Sequence, residues 1–260
     1  MKILGKFLLL AVGIAALFML LLQVNWVGIF EIKQNQERLE KKLGKLVLDQ
    51  VVSKYEKIED DAIDNTLDSI FIPLLKENNI SVKNYELFLI KNEEVNAFAL
   101  PDDKIIITTG LINFLDSADY LAAILAHEIA HCEENHVMKS LVTNFGLDLL
   151  LSGSGTGEVT NFITGQAFSR KLEKEADEKA IDYLDEASID PVSLAHVMEL
   201  FDAYLTSDTD VTWISSHPAP ADRSKYISQK VEKLDSDDKK YITPVTMKTW
   251  NDLKEKIELK

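Results

Sequence analysis

His127-Glu128-Ile129-Ala130-His131 lies within a stretch, Ser117 to about Lys139, that reads as one helix. Residues four apart share a helix face, with Cβ atoms about 6 Å apart. Both imidazoles can therefore reach one Zn²⁺ at roughly 2.0–2.1 Å. Glu128, one residue on, is near enough to take a proton from an attacking water without itself binding the metal. That is the layout metal-assisted peptide hydrolysis needs. The surroundings support it. Leu121, Ala122, Ala123, Ile124, Leu125, Ala126, Ile129 and Ala130 make the helix apolar on several sides. Two histidines and a glutamate in such a run need partners for their polar atoms, and a metal supplies one.

Working outward, Leu39, Leu43, Leu46, Val47 and Val51 give a helical pattern over residues 31 to about 57. A second helix, about Asp61 to Glu77, is apolar at Ile63, Leu67, Ile70, Phe71, Leu74 and Leu75 despite Pro73. Strand character follows over Tyr85–Ile90, Val95–Leu100 and Lys104–Thr108, with Pro101-Asp102-Asp103 as a turn. Asp116 or Ser117 is placed to cap the motif helix. Further helices are expected from about Phe168 to Leu184, from Pro191 to Leu205, and near Trp250 in the charged tail.

The segment Ser152-Gly153-Ser154-Gly155-Thr156-Gly157 reads as a loop, with a mobile lid as its functional alternative. It lacks the Gly-Lys-Ser/Thr ending of a phosphate loop, so no nucleotide is expected.

The 260 residues, 46% hydrophobic and 27% charged, suit one good-sized domain or a domain plus appendages. A formal net charge of −15 argues against a nucleic-acid partner or an anionic-lipid-binding face. Cys132 is the only cysteine, so no internal disulfide forms, and in an apolar helix it reads as packing.

After Lys2 and Lys6 comes an apolar run from Phe7 to Leu22, extended by Val24, Trp26, Val27, Ile29 and Phe30. Its length approaches the roughly 20 residues that span a bilayer, and no Ala-x-Ala site follows. It reads as an uncleaved signal anchor, with a cleaved signal as the alternative. Basic residues flank it on both sides, so orientation is weakly specified. A short inside N-terminus and an external domain are expected. The boundaries so drawn are 1–28 for a single transmembrane helix, 29–223 for the main domain and 224–260 for the tail.

A catalytic zinc keeps three protein ligands and one open position. The third ligand is sought on Ser169-Arg170-Lys171-Leu172-Glu173-Lys174-Glu175-Ala176-Asp177. Glu173 and Asp177 share a face, so one carboxylate can bind metal while the other holds a ligand imidazole. Glu175 points about 200° away from Glu173. His136, nine residues after His127, points about 180° away and reads as structural. His196 reads as surface or packing.

Taken in order, His127 to His131, the Ser169-Arg170-x-x-Glu173-x-x-Ala176-Asp177 block, and Ser216-His217-Pro218 followed by Arg223 form a joint pattern. It resembles the membrane-linked zinc metallopeptidase family that includes HtpX, BepA and the CAAX prenyl endopeptidase. Asn96-Ala97-Phe98-Ala99-Leu100-Pro101 resembles that family's substrate-edge strand. The single span places the chain nearer the BepA-like and mitochondrial quality-control branch than the multi-span one.

The resemblance implies a zincin-like α+β fold, mainly helical with a small sheet, and endopeptidase activity with one zinc per chain. It makes Glu173 the third ligand, Glu128 the general base, and Asp177 the partner of a ligand histidine, His127. It also implies that His217 and Arg223 flank the scissile carbonyl, with His217 stabilising the oxyanion or capping the zinc in a resting enzyme. Asn96, Ala97, Phe98 and Ala99 become the strand on which polypeptide substrates dock. One departure is Asp102-Asp103 where the family usually has Gly-Gly; Asp tolerates turn geometry.

Two other classes stand beside the protease: a chaperone holding clients with the site capped, and a structural zinc protein. An incomplete ligand set next to Glu128 speaks against the last. Oligomeric state is unspecified by the sequence.

Overall fold

A computed structural model of the protein describes residues 26–146, 150, 156–165, 168–204, 212–234 and 239–260. Most of the expected span, residues 7–27, lies outside them. Among the described residues no helix is long and apolar enough to cross a membrane. The chain divides into two compact units, Met1–Leu39 and Glu40–Lys260. Of the first, the described part is helical.

Helix α1 spans Trp26–Lys54 and buries Leu43, Val47 and Val51 along one stripe. Gly44 lies where a Cβ would come within 2.3 Å of the Pro101 carbonyl oxygen, so only glycine allows that approach. Helix α2, Asp61–Glu77, is capped by Asp60, whose carboxylate accepts from the Ala62 and Ile63 N–H groups. Pro73 sits inside α2 without ending it. The six apolar residues picked out by periodicity are the ones α2 buries.

Three strands follow: β1 Glu86–Ile90, β2 Ala97–Leu100 and β3 Lys104–Thr108. They form a mixed sheet in the order β1-β3-β2. β2 and β3 are an antiparallel hairpin, whereas β1 runs parallel to β3 with Phe88 opposite Ile106. The central strand β3 is buried along its whole length.

The hairpin turn places Asp102 at φ 66° and Asp103 at φ 52°, the left-handed conformation that glycines adopt more cheaply. Burial, with Glu133 and Asp102 adding repulsion, raises the Asp103 carboxyl to about 6. Between about pH 4 and 6 the folded state keeps a proton that the unfolded chain releases, so stability falls as pH rises through that window. Asp103→Asn, which tolerates the same φ, should therefore stabilise by about 1 kcal/mol at pH 7.5 after allowing for solvent screening. Near pH 4 the gain should vanish. Thermal melts at both pH values check this, and an equal gain at both would overturn it.

Helices α3 (Thr109–Phe114) and α4 (Ala118–Glu133) come next. α4 is the buried centre: it packs on β2 and β3, and against α2, α7 (Arg170–Glu186) and α8 (Val192–Tyr204). The helix expected to run on to Lys139 instead stops at Glu133. Asn135 adopts φ 54°, and α5 restarts over His136–Phe145. Asparagine visits that conformation more readily than most residues, and it turns the chain between two helices.

Helix α6 spans Thr156–Gly165, so the last two residues of the expected Gly/Ser loop are already helical. Residues 151–155 lie outside the described ones. Short α9 (Trp213–Ser216) and α10 (Pro220–Val231) complete the surroundings of the site. The tail helix α11, Met247–Glu258, packs on α2 and α3 through Trp250, Leu253 and Ile257, which are buried.

Candidate metal centre and active site

Four side chains converge where α4, α7 and the turn after α9 meet. One ligand atom each from His127, His131, Glu173 and His217 lies within 4.8 Å of the others. All four residues are buried. His127 and His131 bring their Nε2 atoms to 3.0 Å of each other, as adjacent turns of one helix allow. Ser169 caps α7 by accepting from Leu172 N–H, which sets Glu173 in the first turn. Glu173 Oε1 lies 3.5 Å from His131 Nε2, and Oε2 3.6 Å from His127 Nε2. His217 adds Nδ1 at 3.2 Å from His127 Nε2 and 3.1 Å from Glu173 Oε1.

Three imidazole nitrogens and a carboxylate pointing at one spot suit a metal better than a hydrogen-bond network. Closely opposed imidazole nitrogens compete for too few protons, while a cation accepts all of them at once. The donor set, nitrogen with one carboxylate, is the kind zinc takes.

Outside the cluster, the groups that hold these ligands are charged and closely paired. Asp177 Oδ1 is 3.0 Å from His127 Nδ1, and the Tyr226 hydroxyl donates to Asp177 Oδ2. Arg223 places Nη1 at 2.7 Å from Glu173 Oε2, Nη2 at 2.6 Å from Asp177 Oδ1 and Nε at 2.8 Å from Asp177 Oδ2. Burial pushes both carboxyls up, but the Arg223 guanidinium and the neighbouring imidazoles outweigh it. His217 and Arg223 hold Glu173 well below the usual range, and Arg223 with His127 holds Asp177 at about 2. Burial lowers His131, favouring the neutral imidazole that a metal ligand must be.

Glu128 stands beside the cluster rather than in it. Its Oε2 accepts from the Ala99 N–H at 3.0 Å, and its Oε1 accepts from Trp213 Nε1–H at 3.2 Å. His217 Nε2 is 3.5 Å from the same Oε1.

The sequence model of peptidase family M48 matches residues 61–231. The chain belongs to peptidase family M48. Residues 61–231 are thus a metallopeptidase domain. Among its relatives are the mitochondrial metalloendopeptidase OMA1 of Arabidopsis thaliana, the beta-barrel assembly-enhancing protease of Escherichia coli and the metalloprotease LoiP of Escherichia coli. The first is 31% identical over 153 residues, 56% of this chain and 31% of that protein. The second is 26% identical over 204 residues, 71% and 42% of the two chains. The third is 28% identical over 169 residues, 59% and 66% of the two chains. The chain spans between about a third and two thirds of these relatives' lengths.

Within the M48 domain some expected residues lie elsewhere than the sequence suggests. His217, for which the resemblance implies either the oxyanion or a cap on the zinc, lies with His127, His131 and Glu173 in the cluster. Arg223 does not face the cleft: it is 4% exposed, and its donors go to Glu173, Asp177 and the His217 carbonyl. Two buried carboxylates side by side draw the guanidinium inward, because leaving them unpaired would be costly. His136 is not turned away either. The break at Asn135 brings its Nδ1 to 3.0 Å from His131 Nδ1.

Asn96 and Ala97–Leu100 line the free edge of the sheet, since β2 pairs only with β3 among the described strands. That edge is buried all the same. Phe98 and Ala99 share a narrow cavity of ≈ 20 Å³ with Phe162 and Ile163 of α6 and with His217, room for about one water.

Trp213 and Phe168 were missed. Trp213 stacks on His217 at 4.3 Å between ring centres and Phe168 on His131 at 4.2 Å. The tryptophan's place four residues before His217, one helical turn away, is the available sign.

Proposed function

We propose that the protein is a zinc-dependent endopeptidase, one zinc per chain, acting on membrane-associated or misfolded envelope proteins. The placement of Glu128 carries this reading. A carboxylate held by two donors, at the edge of the ligand cluster and next to the edge strand, is where a general base belongs. His127, His131 and Glu173 would hold the metal, which supplies Lewis acidity to the substrate carbonyl and the attacking water. Glu128 takes the proton from that water and returns it to the leaving amine. Asp177 orients His127, and Arg223 orients both Glu173 and Asp177. The substrate adds as a strand beside Asn96, Ala97, Phe98 and Ala99, which gives main-chain affinity with little sequence preference.

For substrate to enter, α6 and His217 have to move, since the cleft is nearly filled. His217 then faces the developing oxyanion; in the resting arrangement it caps the cluster. A second reading, a membrane-anchored zinc protein that holds clients with its site capped, draws on the same two features. Activity separates the two.

The substrate class rests on the apolar N-terminal run and on relatives named for barrel assembly and mitochondrial proteolysis. The expected anchor, residues 1–28, would confine the protease to substrates at the bilayer surface, with its domain outside the cytoplasmic membrane. Comparing membrane and envelope proteomes of cells carrying wild type or Glu128→Gln tests the reading. Discrete proteins should accumulate in the variant, and identical proteomes would refute it. In the same cells, alkaline extraction should leave the full-length chain in the membrane pellet; a soluble chain shortened by about 20 residues would show a cleaved signal.

A further inference from the structure

The two histidines of α4 have their Nε2 atoms inside the ligand cluster and their Nδ1 atoms outside it. Behind His127 stands a carboxylate, Asp177. Behind His131 stands another histidine. We propose that His136 is a positioning residue for His131, fixing the tautomer and ring direction with which His131 meets the metal. This rests on the zinc site of the proposed function.

The two Nδ1 atoms are 3.0 Å apart and both residues are 0% exposed, so no solvent competes for the contact. Only one of them can carry a proton there. If His136 Nδ1 held it, His131 would carry its own on Nε2, aimed at His127 Nε2 and Glu173, and would be no ligand. Metal binding therefore selects the opposite arrangement: His131 Nδ1–H donates, His136 Nδ1 accepts, and His136 is protonated at Nε2. That nitrogen is buried without a hydrogen bond, and Glu175 Oε2 is 3.5 Å from it. The chain thus runs from His131 through His136 to Glu175. It gives a role to the one acidic residue of the α7 motif that faces away from Glu173.

The contact depends on the helix break. On an unbroken helix, residues five apart diverge by about 140° and could not meet. Asn135, left-handed and hydrogen-bonded by its N–H to the Cys132 carbonyl at 2.8 Å, returns the chain so that the first residue of α5 faces His131. Phe168, stacked on the His131 ring, leaves the imidazole little freedom to turn away.

The test uses the full chain and reads zinc affinity by chelator competition, without substrate. His136→Phe keeps the ring but removes the acceptor and should weaken zinc binding by about 10–100-fold. His136→Gln restores an acceptor and should recover most of the loss. Melting of the metal-free proteins should separate the variants far less than zinc affinity does. Wild-type affinity in His136→Phe, or an equal loss in His136→Gln, overturns the proposal. A ¹⁵N-histidine spectrum of the zinc-loaded wild type decides the point without substitution. His136 protonated at Nε2 supports the proposal, and His136 protonated at Nδ1 overturns it. A wild type that binds no zinc would instead sink the proposed function.

Discussion

Glu128→Gln should lose peptide hydrolysis by at least the roughly 10²–10⁴-fold that a positioned acid–base group contributes, while zinc stays bound at one per chain. Both halves of that result follow from where the carboxylate lies. Glu128 is absent from the converging ligand set and is anchored instead by Ala99 N–H and Trp213 Nε1–H. Glutamine is nearly isosteric and keeps an oxygen for one of those donors, so the fold around α4 should persist. It has no lone pair basic enough to accept a proton from water. Casein cleavage and zinc content on one preparation decide the matter. Full activity would sink the endopeptidase, and lost zinc would make Glu128 a ligand.

Glu173→Ala should lose most of the bound zinc, and stability with it. The carboxylate serves two partners at once, the histidine nitrogens through both oxygens and Arg223 through Oε2. Removing it leaves a buried guanidinium with Asp177 as its one carboxylate partner beside the His217 carbonyl. Breaking a buried pair costs about 3–5 kcal/mol, and the surviving Asp177 contacts should keep the loss near the lower figure. Glu175→Ala should retain zinc at full stoichiometry, with affinity reduced by less than about tenfold, since it acts only through His136. Metal titration and thermal unfolding of both variants check this. The reverse ranking of the two glutamates would overturn the assignment.

Much of this architecture is local and therefore legible. The apolar stripe of α2 is set by a 3.6-residue period, which its six buried residues obey. The β2–β3 hairpin needs only two strand-like runs and a tight three-residue turn. His127 and His131 share a helix face whatever surrounds them, and Glu173 and Asp177 do likewise. What the chain by itself determined was thus each pair of cooperating groups inside one element.

The meeting of those pairs belongs to the tertiary structure. No local signal says that β1 joins β3 in parallel, because parallel pairing depends on how the intervening chain crosses over. Nor does spacing along a helix reveal a break at Asn135, where a left-handed residue interrupts an otherwise helical pattern and turns His136 toward His131. Arg223 was legible as a motif residue but not in its direction. Two buried carboxylates from α7 pull it inward, an electrostatic demand that exists only once α7 and α10 are packed together. His217 comes to lie beside the cluster for the same kind of reason: Trp213 stacks beneath it and Glu173 lies within reach of its Nδ1. Periodicity along the chain decides which side chains share a face, and packing between elements decides what that face meets.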